Sequence, residues 1–88
     1  MKNFENMHNI IIESREKMSI SGVVSVEEFD ENMITCITNC GGLCVRGNNL
    51  HVEKLDLEQN ELNLVGIISS VEYDDQMSKG SFFARLFR

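Results

Sequence analysis

Proline and tryptophan are absent from the 88 residues, and basic side chains are scarce, with eight Lys and Arg against fourteen Asp and Glu. The resulting net charge of -6 argues against a nucleic-acid binder, which needs a basic face to displace counterions from phosphates. No apolar run approaches the ~20 residues of a membrane span, and the opening MKNFENMHN lacks the apolar stretch of a secretory signal. Cysteines number three, and an odd count fits a reducing compartment better than a disulfide framework. No Ser-His-Asp arrangement, metalloprotease helix or phosphate-cradling loop is legible. Gly42 and Gly47 have the outer spacing of a P-loop but lack the Lys-Ser/Thr that should follow. These absences point away from an enzyme.

What is present is a repeat. Residues 20–30 read ISGVVSVEEFD and residues 64–74 read LVGIISSVEYD, half a chain apart. Gly22 matches Gly66, Ser25 matches Ser69, Glu28 matches Glu72 and Asp30 matches Asp74. Phe29 falls on Tyr73, and Met18 and Ile20 fall on Leu62 and Leu64. The pattern predicts a duplicated unit, about 7–30 and 50–74.

Within each unit polar and apolar residues alternate, as in Met18, Ile20 and again Leu62, Leu64. A period of two means half-buried strands. Turn-forming clusters separate the runs, at Ser14-Arg15-Glu16, Asp30-Glu31-Asn32, Asn39-Cys40-Gly41-Gly42, Gly47-Asn48-Asn49 and 58–61. Strands are expected near 7–13, 17–29, 33–38, 43–46, 49–57 and 61–73. The expected class is all-β, a small antiparallel sandwich or roll over residues 1–78. Gly22 and Gly66 lie inside strands, where glycine marks a bulge or bend, and a bend would let one long strand serve two sheets. Gly22, Gly66, Phe29 and Tyr73 are expected to hold the fold.

Charge reverses at the end of the chain. Residues 1–78 hold five basic and fourteen acidic residues, whereas 79–88 hold Lys79, Arg85 and Arg88 and no acid. Phe82, Phe83, Leu86 and Phe87 would form one apolar stripe on a short amphipathic helix. Two placements follow for this tail. It either folds back over an open face or edge of the sheet, or meets a membrane or membrane protein with Arg85 and Arg88 beside anionic groups.

Cys36, Cys40 and Cys44 are spaced C-x3-C-x3-C. On a helix they would share a face and could ligate metal, but Gly41-Gly42 breaks such a helix and no fourth ligand is evident beyond His51. Small buried hydrophobes are the expectation. His8 and His51 stand at equivalent places in the two units and are expected at strand ends. No cofactor is expected.

The run GLCVRGNNLHVEKLDLEQNELNLVGIISSVEY (42–73), preceded by ISGVVSVEEFD, resembles the YabP family of bacterial sporulation proteins. The SFFARLFR ending is also similar to that family's short aromatic-basic terminus, and the likeness spans roughly residues 7 to 88. The related YqfC branch has a basic N-terminal extension with no counterpart here. The resemblance implies a non-enzymatic protein made in the mother cell and associated with formation of the spore envelope, cortex in particular. It further implies an integral membrane partner (the YabQ protein for this branch) and a location in the mother-cell cytoplasm, peripheral to the outer forespore membrane. It supplies no catalytic residue, and the three cysteines are not part of its pattern. Partner or membrane contact is assigned to Phe82, Phe83, Leu86 and Phe87, with Arg85 and Arg88 in support. Exposed strand edges also allow a homo-oligomer. A self-assembling β structural protein and a cysteine-based metal or redox sensor are the alternatives.

Overall fold

A computed structural model describes residues 7–74, and every regular element among them is a strand. These are β1 (Ile10–Glu13), β2 (Lys17–Ser21), β3 (Val23–Phe29), β4 (Met33–Thr38), β5 (Gly41–Asp56) and β6 (Glu61–Asp74). They form one six-stranded antiparallel sheet in the order β1-β2-β6-β5-β4-β3. The all-β antiparallel class is as the alternation predicts. Residues 79–88 lie outside the described residues.

Of the two expected forms, the sheet takes the roll. β2 and β3 are four strand spacings apart in the sheet order, ~19 Å if the sheet were flat. Only Gly22 joins them, so the chain crosses that gap within ~7 Å. The sheet must therefore curl until its far edge meets β2. Hydrogen bonds hold the closure. Val23 N donates to Asn60 O at 3.0 Å, Asn60 Nδ2 donates to Val23 O at 2.9 Å, and Asn39 N donates to Gly22 O at 2.8 Å. The expected bend is present at Gly22, but both of its arms belong to the same sheet.

Inside the roll lie Met18, Ile20, Val23, Ile34, Cys36, Leu43, Val45, Leu50, Leu62, Leu64 and Ile68. Cross-strand rungs build this core, since directly opposed residues share a face. Ile12, Met18, Leu64 and Val52 form one rung, and Val26, Cys36, Leu43 and Tyr73 another. Residues before the two glycines behave alike, with Met18, Ile20, Leu62 and Leu64 all buried. Past the glycines the sequence match changes face. Val23 is buried where its counterpart Ile67 is exposed, and Val24 is exposed where Ile68 is buried.

Both glycines sit at positive φ, 77° for Gly22 and 137° for Gly66, where a side chain is strained. Space is lacking too. A Cβ on Gly22 would run into the Met7 carbonyl oxygen, and one on Gly66 would stand 2.6 Å from Asn49 O. The β1–β2 turn is pinned beside Gly66: Gly66 N donates to Glu16 O at 3.0 Å, Ile68 N to Arg15 O at 2.8 Å, and Arg15 Nε to Ile68 O at 3.0 Å.

Candidate functional site

The three cysteines do not meet as a ligand set. Cys36 points into the core from β4, Cys40 is exposed in the β4–β5 turn, and Cys44 is buried on the face opposite Cys36. That opposition follows from register, because Cys36 pairs with Leu43 and Cys44 with Thr35. Among the described residues no group of three or more His, Cys, Asp or Glu could hold a metal ion. Burial pushes the Cys36 thiol up to about 12, with Cys44 and Glu27 adding to the effect. Cys44 is also raised, by burial first, against a lowering influence from Arg46. Neither is a ready thiolate at neutral pH.

The two histidines have unlike surroundings. His51 is exposed on β5, whereas His8 joins two distant parts of the chain. Its Nδ1 lies 2.7 Å from Ser21 O and its Nε2 lies 2.6 Å from Tyr73 Oη. A carbonyl can only accept, so Nδ1 carries the proton and Tyr73 donates its hydroxyl to Nε2. The rings meet edge to face at 5.6 Å. Tyr73 thus ties the segment before β1 to the end of β6, with its phenol pKa raised by burial and then by Cys40 and Cys36.

Phe29 lies differently from its counterpart. It ends β3 at 63 % exposure and belongs to the surface, because β3 is an edge strand with no further strand to cover its ring. The other edge, β1, exposes Ile11 and Ile12. Phe82, Phe83, Arg85, Leu86, Phe87 and Arg88 lie outside the described residues.

One feature escaped the sequence reading. Glu28, Thr35, Cys44 and Glu72 form a rung on the sheet's outer face, and Thr35 and Cys44 within it are buried. The signal was available in β4, whose run MITCIT is nearly continuous in apolar and β-branched residues rather than alternating. Such runs mark strands covered on both faces.

The hollow beside β1 is lined by Asn9, Ile11, Ser19, Ile20, Ser21, Glu61 and Asn63. The edge strands expose apolar side chains, among them Ile11, Ile12 and Phe29. The YabP family model matches residues 5–80, most of the chain. The chain belongs to the YabP family. The spore protein YabP of Bacillus subtilis (strain 168) is 35 % identical over 85 residues, covering 92 % of this chain and 84 % of that protein. This YabP-family membership supports a role in sporulation. Among the described residues no helix is long and apolar enough to cross a membrane.

Proposed function

We propose that this YabP-family protein is a non-catalytic assembly factor in spore envelope formation, cortex in particular. It works from the mother-cell side, beside the outer forespore membrane, together with an integral membrane sporulation protein of the YabQ kind. The observation that carries the reading is the family match over residues 5–80, together with the 35 % identity to a spore protein. Exposed apolar side chains on the edge strands, among them Ile11, Ile12, Val24 and Phe29, supply surface suited to protein contact. The membrane partner is assigned to Phe82, Phe83, Leu86 and Phe87, with Arg85 and Arg88 beside them, because an apolar-basic segment suits contact at a membrane surface.

Deletion of the gene in its sporulating host tests the role. The expected result is normal engulfment followed by thin or absent cortex in electron micrographs and fewer heat-resistant spores. Unchanged cortex and heat resistance would contradict it.

A second reading, self-assembly, draws on β1, an edge among the described strands, where Ile11 and Ile12 are exposed and no proline or lysine blunts pairing within Ile10–Glu13. Sedimentation that rises with concentration supports it, and a concentration-independent monomer removes it.

A further inference from the structure

Thr35 and Cys44 stand side by side on the face of the sheet turned away from the core, yet they are 0 % and 1 % exposed. Their orientation follows from their neighbours. Ile34, Cys36, Leu43 and Val45 belong to the core cluster, so the residues between them point outward. Glu28 and Glu72 flank the pair in the same rung. Every described strand belongs to this one sheet, so none of them lies over the face.

Of the two side chains that flank the pair, Glu28 is half-buried and Glu72 is exposed. Thr35 Oγ1 sharpens the point. It is shut off from water and has no hydrogen-bond partner among the described residues, whereas on a bare outer face water would take that role. Burial of this pair on an outward-turned face points to a covering layer.

We infer that residues 79–88 of the same chain supply that layer, with Phe82, Phe83, Leu86 and Phe87 seated over Thr35 and Cys44. Chain geometry favours them. Asp74, the last described residue, is on this same face, and its partner Gly42 is two positions from Cys44. The eight steps from Asp74 to Phe82 reach ~26 Å, against ~7 Å along the strand and ~10 Å across two strands. Charge favours them as well: Glu28, Glu72 and Asp74 line the face, and the segment carries Lys79, Arg85 and Arg88 with no acid. Four large apolar side chains in ten residues also need a place out of water when no partner is bound. The seat holds whether or not the membrane partner does. Where both hold, the partner takes the segment from the face.

Two measurements on the purified full-length chain test the seat. The first is a search for nuclear Overhauser contacts between the Thr35 methyl and the ring protons of Phe82, Phe83 and Phe87. The second is peptide-resolved alkylation, with exposed Cys40 as the internal reference. The inference predicts those contacts, and Cys44 labelling at least roughly tenfold faster in the Phe83→Asp/Leu86→Asp chain than in the parent. A folded parent chain without the contacts overturns it. So does equal Cys44 labelling in a folded double variant, and so do contacts found only between differently labelled chains, which place a second copy's segment there. If the variant does not fold, the contacts in the parent chain decide alone. Failure here leaves the partner reading standing, because neither measurement involves a membrane protein.

Discussion

Tyr73 donates its hydroxyl to His8 Nε2 at 2.6 Å, joining residues 65 positions apart and fastening the start of the described chain to its end. Tyr73→Phe keeps the ring and deletes only this bond. The bond is exposed, so the expected loss is about 0.5–1 kcal/mol in urea unfolding. Amide exchange should speed up in residues 8–13 more than in the core strands. A uniform change across the chain would contradict the local role.

Gly22 and Gly66 are expected to tolerate no side chain. Each Ala substitution combines positive φ with a backbone collision, so each should cost at least ~2 kcal/mol. Ser19→Ala, at an exposed position of β2, is the comparison. Denaturant midpoints of the three variants check the order.

Thr35→Val should leave stability unchanged or raise it by about 1 kcal/mol. The substitution keeps shape and removes a buried hydroxyl that has no partner. A loss of more than ~1 kcal/mol would mean that the hydroxyl is hydrogen-bonded.

Alkaline pH should weaken the fold through Cys36. Its unfolded thiol ionises near 9, while burial holds the folded thiol protonated to about 12. The stabilisation is full below pH 9 and is lost as pH rises from there towards 12, at up to ~1.4 kcal/mol per pH unit. Cys36→Ala should be less stable at pH 7 because of the cavity, with a flatter decline above pH 9. An unaltered slope in the variant would assign the alkaline loss elsewhere.

Much of the fold was legible because most of the sheet is one-sided. Met18, Ile20, Leu62 and Leu64 alternate with polar neighbours, and all four are in the core. β5 was less legible. The sequence places a turn at Gly47-Asn48-Asn49, but the strand runs unbroken from Gly41 to Asp56. Gly47 there admits the Ile67 carbonyl, where a Cβ would collide, and Asn49 at φ 55° makes a bulge. Turn residues and bulge residues are the same residue types, so composition does not separate them. The single residue between β2 and β3 hid the closure of the roll, because local pattern carries no information on which edges meet. The Thr35–Cys44 rung was missed for a related reason: a two-sided run reads as a strand without telling what covers its second face.

Affinity capture from sporulating cells tests the central claim most directly. The full-length chain is compared with one in which Phe82, Phe83, Leu86 and Phe87 are all Ser. The account predicts that an integral membrane sporulation protein is recovered with the first and lost with the second. Equal recovery by both chains, or recovery of no membrane protein by the full-length chain, would contradict it.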